Sequence, residues 1–137
     1  MSTVFVVLSP SMQEWGADVG VSKHLYKLGV TDGDVAEAVK ELAAENYAGH
    51  ADWVLAACLE APDGLDTAAV MARLADRQKL LDPLYYPRLK GAKDIVRLDQ
   101  RKVEANIVIK RTMEGRDSKV PKIKPADMGL FLIESVL

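Results

Sequence analysis

Tyr85-Tyr86-Pro87-Arg88-Leu89-Lys90 interleaves aromatic rings with cations, a pattern suited to stacking on bases while the cations meet phosphates. The same tyrosines also suit a structural role, one plugging the core and the other capping an apolar edge. Cations continue beyond this stretch at Lys93, Arg97, Arg101, Lys102 and Arg111, and then in an arm that carries Arg116, Lys119, Lys122 and Lys124. Together with Arg88 and Lys90 these residues form the expected phosphate-facing surface. Other chemistry-bearing residues are sparse. His24 and His50 have no second ligand at a metal-binding spacing, which leaves them as surface or core histidines. Ser9 and Ser11 have no evident base partner, and no glycine-rich phosphate loop occurs. Cys58 lies in the apolar run WVLAACL, has no second cysteine to pair with, and is expected as a small buried hydrophobe.

The net charge of −2 conceals an uneven distribution. Residues 1–70 hold three Lys/Arg against eleven Asp/Glu, whereas residues 71–125 hold fifteen against seven. Such a division suggests a basic face directed at a polyanion, or two faces that attract one another or a partner. Solvated helix faces that happen to be basic explain it equally well.

The 137 residues suffice for one domain with a core of its own, and the 49% hydrophobic, 28% charged composition is that of a globular protein. No apolar run approaches the roughly 18 residues needed for a membrane span. Met-Ser-Thr-Val-Phe has no basic region ahead of its apolar run, so it reads as a first strand and not as a secretory signal, and a cytoplasmic location is expected.

These side chains need elements to position them. TVFVVLS is β-branched and apolar at successive positions, as expected of an interior strand covered on two faces, and Pro10 stops it. HLYKLGV, bounded by Gly29, reads as a second strand pairing with the first across an intervening loop, residues 10–22. TDGDVAEAVKELAAENY opens in capping-box fashion at Thr31 and places Val35, Val39, Leu42 and Ala43 on one helical face with an acidic outer side. DWVLAACLEAP reads as a third strand, and LDTAAVMARLADRQKLL as a helix capped by Asp66 or Thr67 and ended near Pro83. DPLYYPRLKG is an irregular connection and DIVRL a short strand candidate. DQRKVEANIVIKRTMEG starts at Asp99 and stops at Gly115 as a third helix, although its IVI triplet also suits a strand. After the basic arm, PADMGLFLIESVL forms a terminal helix with Pro125 near its start.

The order of these elements, with Phe5-Val6-Val7-Leu8-Ser9-Pro10 followed by Tyr26-Lys27-Leu28-Gly29-Val30-Thr31 and then a helix, resembles the GIY-YIG nuclease superfamily. The likeness is greatest to the lysine-bearing branch whose strands read Tyr-Val-Leu-Ser-Asn and Lys-Ile-Gly-Lys-Thr, and by element order it extends over residues 3–100. The resemblance implies a small antiparallel sheet of about three strands flanked by helices. It also implies phosphodiester cleavage, in which strand tyrosines position or activate water, a helix arginine steadies the phosphate and a glutamate holds a divalent metal. Here the first tyrosine falls on Val6, or on Phe5 under a shift of one. Lys27 takes the first position of the second motif, where it would meet a phosphate as a point charge. The first helix contains Lys40 and no arginine, and the glutamate falls near Ala68 or Ala69, with Asp66 the closest carboxylate. The loop 10–22, containing Trp15, Gly16 and Gly20, exceeds the usual family length and reads as a functional insertion or a covering flap.

The expectation is therefore an α+β, GIY-YIG-like domain over residues 1–100 and a helical extension over 101–137 packed on the same core. The leading function is nucleic-acid binding without ordinary family cleavage, with DNA preferred over RNA, no membrane partner and no cofactor. One alternative is a rearranged endonuclease in which Lys27, Tyr26 and Asp66 act with magnesium, Asp66 being its metal ligand. Another is an assembly subunit that joins copies or partners through its acidic and basic faces.

Overall fold

β1 (Thr3–Leu8) pairs antiparallel with β2 (Leu25–Thr31) on one side and with β3 (Val54–Glu60) on the other. Having a neighbour on each edge and cover on each face accounts for its unbroken apolar sequence. The computed structural model describes residues 2–21, 23–62, 65–90, 92, 94–115 and 122–137. Two further strands, β4 (Lys79–Leu80) and β5 (Ile95–Arg97), extend the sheet to five strands in the order β3-β1-β2-β5-β4, all pairings antiparallel. The expected α+β class is correct, but the count of about three strands is too low. The two added strands are too short to carry a recognisable alternation, and they exist through their pairing with each other and with β2.

Successive side chains of β1 enter different layers. Val4, Val6 and Leu8 pack with Val70 and Leu74 of α3 (Thr67–Arg77), Val103 of α4 (Gln100–Met113), and Met128, Leu132, Ile133 and Val136 of α5 (Pro125–Val136). Residues beyond 101 thus share the core of the first strands. Phe5 and Val7 face the other side with Met12, Trp53, Leu89 and Ile95. On that side α2 (Val35–Ala44) lays Val35, Ala38, Val39 and Leu42 half-buried, as its periodicity predicts. Among the described residues no helix is long and apolar enough to cross a membrane.

Several local expectations change. Pro10 ends the strand but also opens a nine-residue helix, α1 (Pro10–Asp18), where the sequence suggests a loop. Its missing N–H is harmless in a first turn. Ser9 caps this helix, and Asp52 accepts hydrogen bonds from both the Ser9 and Ser11 hydroxyls and from the Ser11 N–H at 2.8 Å. The serines that lacked an evident partner in sequence thus tie the start of α1 to the approach to β3. Asp34, not Thr31, caps α2, while the Thr31 hydroxyl accepts from the Gly33 N–H at 3.1 Å. α3 ends at Arg77 instead of running to Pro83. Asp66 caps α3 and Asp99 caps α4, both as expected. Cys58 is exposed on β3, a sheet edge, contrary to its expected burial.

Gly29 has a packing reason. It lies opposite Phe5 across the β1–β2 pair, and a Cβ placed on it would stand 2.6 Å from Phe5 Cζ. The aromatic ring occupies the space that any side chain at 29 would need.

Candidate functional site

Lys27 stands on β2 with its side chain on the Phe5 and Val7 face, in register with Val7 and with Ile95 of β5. Its ammonium lies 2.9 Å from Asp94 Oδ2 and 4.9 Å from the centre of the Tyr47 ring, and donates to the Leu28 carbonyl at 3.3 Å. The Tyr47 hydroxyl donates to the same Asp94 carboxylate. Burial, followed by the hydrogen bond and charge of Asp94, pushes the Tyr47 hydroxyl far above its ordinary value, so it stays protonated. The three side chains satisfy one another inside the sheet–helix layer, leaving Lys27 engaged within the protein.

Tyr26, adjacent in the strand, faces the opposite layer and is buried with Leu74 and Val96. Burial raises its hydroxyl above the ordinary value, a shift opposed by the hydrogen bond with Gln13. Asp66 sits at the start of α3, whose Val70 and Leu74 belong to this second layer, and accepts from the Ala69 N–H at 2.8 Å as a helix cap. The sheet thus separates Lys27 from the layer to which Tyr26 and α3 belong. Arg73, on the same helix, donates to the Val136 carbonyl at 3.1 Å and so holds the end of α5. Among the described residues no group of three or more His, Cys, Asp or Glu side chains is placed to hold a metal ion.

The cations converge elsewhere. An open cleft of about 600 Å³ lies at the β4–β5 side of the sheet, lined by residues from α3, β4, β5, α4 and α5 together with His24. Arg97, Arg101 and Lys102, three of the expected phosphate contacts, line it alongside Arg77 and Lys79. Lys79 and Arg97 are direct cross-strand partners, an unfavourable juxtaposition of like charges that an anion would relieve. Among the described residues Lys79, Arg97, Arg101 and Lys102 make no ion pair, whereas Arg77 donates to the Ser135 carbonyl at 2.6 Å. His24 is held below its ordinary value of 6.5, first by burial and then by Lys23, although Gln100 and Asp99 partly oppose this. Burial thus favours its neutral form.

The remaining expected contacts are dispersed. Lys90 is exposed with a left-handed φ of 55° after the helical turn Pro87–Leu89, and Lys122 and Lys124 are exposed ahead of α5. Arg111 lies on the last turn of α4, well beyond Arg101. Lys93, Arg116 and Lys119 lie outside the described residues, as does the side chain of Arg88. Tyr86 packs edge-on against Trp15 of α1, whereas Tyr85 is 82% exposed, so only Tyr86 takes the structural role weighed above.

Arg77 and Lys79 were missed as site residues because Arg77-Gln78-Lys79 reads as the continuing end of a helix. The available signal was the two cations flanking Gln78; the separation of Arg77 in helix from Lys79 in strand depends on β5. Fold and cleft together define an α+β protein with a five-stranded antiparallel sheet and a concentration of cations at one side. Comparisons with protein-family models, with curated proteins and with solved structures each find no match.

Proposed function

We propose that the chain is a nucleic-acid-binding domain of GIY-YIG-like architecture that lacks ordinary family cleavage, and that the cleft between β4, β5 and the start of α4 is its phosphate-facing surface. The observation that carries this reading is the convergence of Lys79, Arg97, Arg101 and Lys102, without ion-pair partners among the described residues, in one open cleft. Unpaired cations brought together raise the local potential and attract a polyanion. The family likeness rests on the β1–β2 pairing, on α2 following directly, and on Gly29 beneath Phe5. DNA remains the preferred partner by that likeness.

The absence of ordinary cleavage follows from residue chemistry. Val6 cannot move a proton, and Lys27 is committed to Asp94. A magnesium-dependent site shared by Lys27, Tyr26 and Asp66 would have to join groups that the sheet directs to different sides.

Fluorescence anisotropy with labelled DNA and RNA, duplex and single-stranded, tests the proposal. Binding should weaken steeply with salt, with a log–log slope of about −3.6 on duplex DNA if four phosphates are neutralised, or about −2.8 on single strands. If no nucleic acid in the set produces a salt-sensitive shift at low ionic strength, the proposal fails.

A further inference from the structure

Resting on the proposed nucleic-acid reading, we infer that the cleft accommodates an unpaired nucleotide of a single strand, with its base against Phe131 and its phosphates on the surrounding cations. The lining is more varied than phosphate binding needs. Phe131 supplies apolar surface, Gln78 and Gln100 supply amides, and Asp99 and Glu104 supply carboxylates among the five cations. Carboxylates repel phosphates, so their presence suits a ligand that also donates hydrogen bonds. The exocyclic amino groups of bases are such donors, and a carboxylate accepts readily from cytosine N4.

The polar groups are partly positioned already. Gln100 Nε2 donates to Glu104 Oε1 at 3.0 Å and Gln78 Nε2 donates to the Ser135 hydroxyl at 2.9 Å. Each glutamine is thereby oriented; the Gln100 side chain also hydrogen-bonds His24, and an amide oxygen can accept more than one hydrogen bond. One oxygen of Asp99 caps the Arg101 N–H at 2.9 Å, and a carboxylate has capacity for more than that bond. The volume is within the usual range of small-molecule sites, enough for a nucleotide and far too small for a double helix. A paired base would have to leave its stack to enter, whereas a single strand offers its bases without that cost.

Anisotropy titrations of the full chain should compare a mixed-sequence single strand, the corresponding duplex and a single strand carrying abasic sites, all at one ionic strength. The base-bearing strand should bind about tenfold more tightly than the abasic strand, as expected for loss of one stacked base. It should also bind more tightly than the duplex. Phe131→Leu, which retains an apolar side chain, should bring its affinity close to that of the abasic strand. Equal affinities for all three probes overturn the inference while leaving nucleic-acid binding intact; no binding to any of them removes the proposed function as well. The probe comparison uses the unaltered chain, so it decides the matter even if the Phe131 variant does not fold.

Discussion

Lys27 Nζ and Asp94 Oδ2 lie 2.9 Å apart, with the two side chains only 9% and 15% exposed. Removing one partner leaves the other charge in a poorly solvated site, whereas replacing both with apolar groups removes the problem. Asp94→Ala should therefore lower the unfolding free energy by about 3–5 kcal/mol. The double variant Lys27→Met/Asp94→Leu should recover much of that loss in urea titrations. Lys27→Met alone should leave the salt dependence of nucleic-acid binding unchanged, because Lys27 does not line the cleft and its charge is paired with Asp94. A large fall in binding slope for that variant would return Lys27 to the phosphate contacts.

Gly29→Ala should destabilise the protein by about 1–3 kcal/mol through overpacking against Phe5. Phe5→Leu combined with Gly29→Ala should cost less than the separate effects added together, since the smaller side chain relieves the same contact. Additive losses in a double-mutant cycle would deny the coupling between these positions.

Burial tends to raise the Asp52 carboxyl, but hydrogen bonds from Ser11 and Ser9 outweigh it and hold the group at about 2, below the ordinary 3.8. A carboxyl lowered on folding contributes stability that is fully present above its unfolded value and is lost as pH falls through the folded one. The thermal unfolding midpoint should consequently fall as pH drops from about 5 toward 2. Asp52→Asn should reduce that slope while keeping the side chain's shape. Parallel acid profiles for the two proteins would show that these serines do not hold a charged carboxylate.

Arg97→Glu and Arg101→Glu place repulsive charges in the cleft and should weaken nucleic-acid binding while changing little in unfolding. Loss of one phosphate contact reduces the log–log salt slope by about 0.9 on duplex DNA and about 0.7 on a single strand. Lys90→Glu and Lys122→Glu, both outside the cleft lining, should have smaller effects. Equal losses at all four positions would favour a diffuse basic surface over the cleft.

Much of the central sheet is legible in one dimension because its signals are local. The apolar run of β1, the glycine in β2 and the spacing of Val35, Val39 and Leu42 each arise within a few residues. α1 was not legible: Pro10 is compatible both with stopping a strand and with starting a helix. Asp52, more than forty positions away from Ser9 and Ser11, anchors the observed start. Exposure of Cys58 is likewise a matter of strand order, since β3 reads like an interior strand but has a neighbour on only one side.

The candidate site divides in the same way. Residue types alone determine a basic second half, a strand motif with lysine and glycine, and the lack of a proton-moving side chain at Val6. Tertiary structure decides that Lys27 is paired with Asp94, that Asp66 caps a helix, and that Arg77 and Lys79 join Arg97, Arg101 and Lys102. The physical reason is reach. A cap or a strand period acts over a few residues, but the electrostatic potential of a cleft depends on charges brought together from separate elements, and their convergence is a product of the sheet's pairing order.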